Sequence, residues 1–215
     1  MVIPTYVINL QSRTDRKEHV LKEFHGKKEF AVQVVEARQH EIGAIGLWQT
    51  IRHIIEDLVP SNVEYFIICE DDHQFTEEYN ACLLKNTIAL AKKMDADIIS
   101  GGVSWFQTGI QISKNLFWIE EFSATQFIII FRKFCNKILD ASFIQGDNAD
   151  YKICELTTNK FVIYPFISSQ KEFGYSDVTS INNGTDRVET LFAETALRLE
   201  LMDGIRKFYL LDFKC

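Results

Sequence analysis

Apolar positions along the first half of this chain follow two alternating rhythms. Short continuous runs, of the kind buried strands show, are separated by longer stretches in which apolar residues recur every three or four positions, as on one face of a helix. Strands are expected over 6–10, near 31–35, over 65–70 and over 97–100. Between them, a helix beginning near Ser12 carries Val20, Leu21 and Phe24, and Ser12-Arg13-Thr14-Asp15 has the form of a capping box. A second helix over 42–58 carries Leu47, Ile51, Ile54, Ile55 and Leu58, and a third covers 77–94, with Thr76-Glu77-Glu78 as its apparent start. Gly101-Gly102 closes the fourth strand where the backbone must turn tightly or approach a ligand. Such alternation implies an α/β chain with an open, Rossmann-type sheet, mostly parallel and flanked by helices.

The parallel character fades afterwards. Residues 105–118 read as irregular structure or a hairpin, 126–131 as a strand, 133–141 as a helix and 160–165 as a last strand stopped by Pro165. A helix over 187–202 is followed by the apolar Phe208-Tyr209-Leu210-Leu211. No internal repeat or low-complexity linker interrupts the 215 residues, so one domain is expected over 1–215.

Composition narrows the functional classes. With 47% hydrophobic and 25% charged residues the chain is an ordinary globular sequence, and its net charge of -7 argues against nonspecific binding to nucleic acid. Any anionic ligand has to be held locally. The five cysteines (Cys69, Cys82, Cys135, Cys154, Cys215) form no Cys-x-x-Cys pair and fit reduced thiols of a cytoplasmic protein. No apolar stretch reaches the ~18 residues that a membrane span needs, and the start of the chain has no signal-peptide form.

The candidate chemistry sits where Tyr65-Phe66-Ile67-Ile68-Cys69 ends abruptly on Glu70-Asp71-Asp72-His73. Ligands of open α/β sheets lie at the carboxyl ends of strands. Three adjacent carboxylates repel one another unless a cation or water compensates, and Mg²⁺ or Mn²⁺ with oxygen ligands would do so. The bland alternative is an acidic turn ahead of the next helix. Because side chains alternate along an extended chain, Asp71 should point away from Glu70 and Asp72, toward a ribose or an arginine.

Four segments together carry a resemblance. Val7-Ile8-Asn9-Leu10, then Arg13-x-Asp15-Arg16, then His40-Glu41-Ile42-Gly43, then Ile67-x-x-Glu70-Asp71-Asp72 is similar to glycosyltransferase family 25, whose members build lipopolysaccharide and related glycans. The match covers about the first third of the chain. It departs from the family pattern at His40 in place of a glycine, at Ala44 in place of a cysteine, and at Leu47-Trp48 where a Ser-His pair usually follows.

What the resemblance implies is a GT-A-like fold and a metal-dependent transferase. Such an enzyme moves a sugar from a nucleotide-sugar, with UDP as the expected nucleotide, to a glycan or lipid-linked glycan acceptor, with inversion. Glu70 and Asp72 would hold Mn²⁺ or Mg²⁺; Asn9, Arg13, Arg16, Glu41 and Asp71 would line the nucleotide site, the arginines suiting phosphate through their forked guanidinium. Residues 1–102 would form the nucleotide-sugar part and 103–215 the acceptor side. The protein would be cytoplasmic, peripheral at the membrane where its acceptor is lipid-linked. A noncatalytic sugar-nucleotide-binding protein or scaffold with the same fold is the rival reading.

An inverting transferase also needs a base, and Asp147 and Asp150 in Gly146-Asp147-Asn148-Ala149-Asp150-Tyr151 are the candidates, Asp147 first. Asp147 also suits an N-cap of the helix that follows. The polar segment 168–177, with Gln170, Tyr175, Ser176 and Asp177, reads as a substrate-covering loop. His73 is expected to be structural, since hard cations prefer oxygen, and Trp48, Trp105 and Trp118 are expected to pack rather than to hold sugars.

Overall fold

The computed structural model describes residues 2–174 and 187–209. The first half follows the expected rhythm: β1 (Ile3–Asn9), α1 (Thr14–Phe24), β2 (Phe30–Glu36), α2 (Gly43–His53), β3 (Tyr65–Glu70), β4 (His73–Phe75), α3 (Ala81–Lys93) and β5 (Ile98–Ser100). The second half adds β6 (Trp105–Phe106), β7 (Gly109–Ser113), β8 (Leu116–Ile119), β9 (Phe122–Ser123), β10 (Phe127–Phe131), α4 (Cys135–Asp140), α5 (Ala149–Leu156), β11 (Lys160–Ile163), β12 (Ser168–Gln170) and α6 (Arg187–Phe208).

One eight-stranded sheet in the order β2-β1-β3-β10-β5-β11-β8-β7 takes strands from both halves of the chain. β2, β1 and β3 are parallel neighbours, as are β5 and β11, whereas β10 runs antiparallel between β3 and β5. β8 is antiparallel to both β11 and β7, so every strand of the sheet except β10 and β8 points the same way. The sheet is the mostly parallel one expected, with one reversed strand at its centre. That reversal places the start of β10 at the same edge as the carboxyl ends of β3 and β5.

Period-two alternation assigns side chains to two cores. Phe66 and Ile68 of β3 and Ile128 and Ile130 of β10 face the layer of α2, α4, α5 and α6, where they meet Ile51, Ile138, Ile153 and Phe192. Ile67 and Cys69, with Ile129, face α1 and α3 and pack on Val20, Phe24, Leu84 and Ile88. Burial on both faces explains why these strands read as unbroken apolar runs.

Several local expectations are corrected. Ser12 does not cap α1: the residue before the helix is Arg13, and no side chain caps there. Thr76 does not start α3 either; its hydroxyl donates to the Phe166 carbonyl, and Asn80 caps the helix by accepting from the amides of Cys82 (2.8 Å) and Leu83 (3.1 Å). The helix expected over 42–58 is α2 followed by a single π turn, Ile54–Leu58. Gly101 and Gly102 answer to packing against the chain itself: a Cβ on Gly102 would lie 2.1 Å from the Ser168 carbonyl, and one on Gly101 2.9 Å from the Ser168 Cβ. Tyr175, Ser176, Asp177, Leu210 and Leu211 lie outside the described residues.

Candidate functional site at the carboxyl end of β3

The alternation of β3 continues into the acidic run. Glu70 falls on the same face as Phe66 and Ile68, while Asp71 turns to the α1 side. There Asp71 is almost fully buried and accepts from Asn9 Nδ2 at 2.8 Å and from Arg16 at 3.2 Å. Arg16 is also buried, with its guanidinium 3.6 Å from Asp72 Oδ2 and over the ring of Phe173 at 4.8 Å to the centroid. Of the two contacts expected for Asp71, the arginine is therefore present. The Asn9 amide donates to the Arg13 carbonyl as well, tying the end of β1 to the turn before α1.

Glu70 accepts from the Thr125 hydroxyl at 2.5 Å through Oε1. Burial and the neighbouring Asp72 push its carboxyl above the usual range, against the lowering effect of Thr125. Asp72 is raised for the same first reason and by Asp71, with Arg16 and Arg13 opposing. Two carboxyls whose ionisation is opposed by burial and by neighbouring carboxylates form a site in which a positive charge is favourable.

The residues present fit a divalent cation in one specific respect. Asp72 Oδ1 is buried and has no hydrogen-bond partner among the described residues. Such an orphaned acceptor is costly unless a cation or a donor meets it. No group of three or more His, Cys, Asp or Glu side chains suited to a metal occurs among the described residues. A Mg²⁺-type ion needs only one or two protein carboxylates when substrate phosphates complete its shell.

Two clefts flank this acidic run. The first, about 510 Å³, is lined by Leu10, Arg13, Arg38, Glu41, Glu70 and Asp71 among others, all of its lining coming from residues 8–71. The second, about 480 Å³, is walled by Arg16, Glu70, Asp72, Thr125, Asp150 and Lys171, with Phe173 and the first turn of α6 at its rim. Glu70 and Leu47 line both, so the clefts meet at the end of β3. Glu41 lies in the loop before α2, beside His40, whose ring Nδ1 accepts from the Ile42 amide.

The two candidate bases part company. Asp147 sits in the turn after Gly146, accepting from the Ile144 amide at 2.9 Å and pairing with Lys152 at 3.2 Å. It lines neither cleft and is not the helix cap: that position belongs to Asn148. Asp150 does line the second cleft, in the first turn of α5, and accepts through Oδ2 from the Ser123 hydroxyl (2.9 Å) and the Ala124 amide (3.1 Å).

His73 is fully buried among the rings of Phe24, Phe75 and Phe127, hydrogen-bonded through Nδ1 to Ser168 Oγ at 2.8 Å, and burial drives its pKa well below normal. It is structural, as expected. Trp48 is core, stacked on Phe143 at 4.8 Å. Of the covering segment, Gln170 to Gly174 wall the second cleft, and the Lys171 amide donates to the Asp72 carbonyl at 2.8 Å. Sequence reasoning missed Ser123, Ala124 and Thr125. Nothing in their residue types points to a site; only the reversed direction of β10 brings them to it.

No family model matches the chain, and no curated protein matches it in sequence. The resemblance to family 25 therefore stands on its motifs alone. In structure the chain is similar to A197 from STIV, with a TM-score of 0.54 and 11% identity over 80% of this chain and 86% of that one. Weaker likenesses are to apo UDP-glucose pyrophosphorylase (TM-score 0.48, 11% identity, 91% of this chain and 82% of that one) and to HddC from Yersinia pseudotuberculosis (TM-score 0.43, 10% identity, 92% and 100%). At such identities likeness speaks to the fold and not to the activity.

Proposed function

We propose that this protein is a metal-dependent glycosyltransferase that uses a nucleotide-sugar, UDP-linked, and a glycan hydroxyl as acceptor, with inversion. The observation that carries this reading is the meeting of two clefts at one strand end, where Glu70 lines both and Asp72 keeps an unpartnered oxygen. A ligand with a nucleoside at one end and a sugar at the other spans such a site with its diphosphate at the carboxylates. Residues 1–102 supply the first cleft, as the nucleotide part, with Arg13, Glu41 and Asp71 in its lining and Asn9 behind them, holding Asp71 by a hydrogen bond.

Glu70 and Asp72 would hold Mn²⁺ or Mg²⁺, which supplies Lewis-acid charge to the diphosphate. Arg16 balances Asp71 and part of Asp72, leaving the three carboxylates less negative overall than they would be without it. In the second cleft Asp150 takes the proton of the acceptor hydroxyl as that oxygen bonds to the anomeric carbon; the carbon–oxygen bond to the diphosphate breaks on the opposite face, which inverts the centre. Asp150, and not Asp147, has the position for this role, because it faces the cleft that Glu70 and Asp72 also line.

Calorimetric titration with UDP, with and without Mn²⁺, followed by assay of diphosphate release from nucleotide-sugars, tests the reading. Metal-dependent binding with slow release of nucleoside diphosphate is the expected result. Binding of nucleotide-sugars without any release, even with acceptor extracts, favours the scaffold reading; no binding of nucleoside diphosphates at all overturns both.

A further inference from the structure

Ala124 adopts φ +99°, and the only other described non-glycine residue with positive φ is Asp95, at the end of α3. A side chain in this region strains the backbone, and residues held so are retained only where the surrounding structure over-determines them. Ala124 is also nearly buried, so no solvent-facing turn explains it.

Its neighbours show what the strained conformation achieves. Immediately before it, the Ser123 hydroxyl donates to Asp150 Oδ2, and the Ala124 amide donates to the same oxygen. Immediately after it, the Thr125 hydroxyl donates to Glu70 Oε1. Three consecutive residues thus grip two carboxylates that belong to different elements, α5 and β3, and are 80 residues apart in the chain (150 − 70). The grip leaves one oxygen of Glu70 free of Thr125. Asp150 Oδ1 accepts from the Tyr151 amide at 2.9 Å, on its own helix. All three gripping residues line the second cleft.

We infer that Ser123-Ala124-Thr125 is a positioning unit, in which the strained Ala124 fixes the mutual orientation of Asp150 and Glu70. The inference rests on the reading of these carboxylates as base and metal ligand. It assigns the chain's departure from an unstrained backbone to the need to hold a proton acceptor and a cation ligand in one fixed relation, across which the acceptor hydroxyl and the leaving group must lie in line. Extended backbone at 124 would carry the hydroxyls of Ser123 and Thr125 to other positions and release one carboxylate or the other.

The test is Ala124→Val, because a β-branched side chain resists positive φ more strongly than alanine, set beside Ala124→Gly, which occupies it without strain. The valine change is expected to lower kcat by about tenfold with the donor KM within about twofold, and the glycine change to raise Tm by about 2–4 °C with kcat within about twofold of the parent. Thr125→Val should weaken Mn²⁺ binding, read by water proton relaxation, and Thr125→Ser should restore it. A folded Ala124→Val protein with unchanged kcat, or a Thr125→Val protein with unchanged Mn²⁺ affinity, overturns the inference while leaving the functional reading standing. Parent protein that binds no Mn²⁺ in the presence of UDP overturns both. Should the Ala124→Val protein fail to fold, the Thr125 pair decides the matter, since a structural hydroxyl would not alter metal affinity and be rescued by serine.

Discussion

Individual side chains in this protein are assigned their chemistry by direction more than by type. Glu70, Asp71 and Asp72 are three like residues in a row, and the alternation of an extended chain sends the middle one to Asn9 and Arg16, on the side of the first cleft, while its neighbours line the second. Asp147 and Asp150 are three residues apart and equally acidic, yet one closes a turn onto Ile144 and Lys152 and the other enters the cleft. The two substitutions therefore separate: Asp150→Asn should lower turnover by about 10²-fold or more at nearly unchanged donor affinity, since the amide cannot take the proton. Asp147→Asn should leave turnover within a few-fold of the parent. Steady-state kinetics with saturating acceptor measures both, and a larger loss from the Asp147 change sinks the assignment. Asp72→Ala carries a complementary expectation, loss of Mn²⁺-dependent UDP binding with the fold intact, checked by titration together with circular dichroism.

Elements meet at this site because glycines and a reversed strand let them. β12 lies against the turn after β5 closely enough that the Ser168 and Ile167 amides both donate to the Gly101 carbonyl, at 3.2 and 2.9 Å. From there β12 pairs antiparallel with β4, and the strap that follows reaches the Asp72 carbonyl through the Lys171 amide. The packing of Gly102 is thus one contact removed from the acidic run. Gly102→Ala puts a methyl into the Ser168 carbonyl, a backbone atom that cannot swing aside, and overpacking of this kind costs about 1–3 kcal/mol. Urea unfolding should show that loss in its midpoint without a change of slope; a neutral result would mean that β12 shifts at little cost.

At the scale of the whole molecule, two buried carboxylates tie the layers together away from the clefts. Asp203 of α6 accepts from Gln111 of β7 at 2.8 Å and pairs with Arg206 and Lys207. Burial would raise its carboxyl, but the bonds from Lys207, Gln111 and Arg206 outweigh it and hold the value down to about 2. Asp97 is likewise lowered against burial, by Thr157, Lys133 and Lys137, joining the start of β5 to α4 and to the end of α5. A folded value below the unfolded one means that the stabilisation is complete above about pH 4 and is lost as pH falls toward 2. The contribution of Asp203 and Asp97 to the unfolding free energy should be level from pH 5 to 7 and drop steeply below 4, whereas Glu70 and Asp72, raised in the folded protein, favour the folded state less as pH climbs through that window. Asp203→Asn should lower the unfolding free energy at pH 6 by about 1–3 kcal/mol and flatten the acid slope; an unchanged slope would show that Asp203 does not contribute to it.

The sequence by itself determined the main strand and helix alternation of the first half and the strand end that carries the acids, because periodicity and continuous apolar runs are local properties that survive in one dimension. It marked Glu70, Asp71 and Asp72 as a charged cluster at a strand end, for the same reason. Only the tertiary structure decided that β10 runs backward between β3 and β5, since strand direction depends on how distant segments pair and leaves no mark on an apolar run. With that direction came Ser123, Ala124 and Thr125 at the site, Asp150 in place of Asp147 at the cleft, and the use of Gly101-Gly102 for packing against Ser168. Each is a relation between residues far apart in the chain, and such relations are fixed by packing and pairing, not by the residues' own propensities.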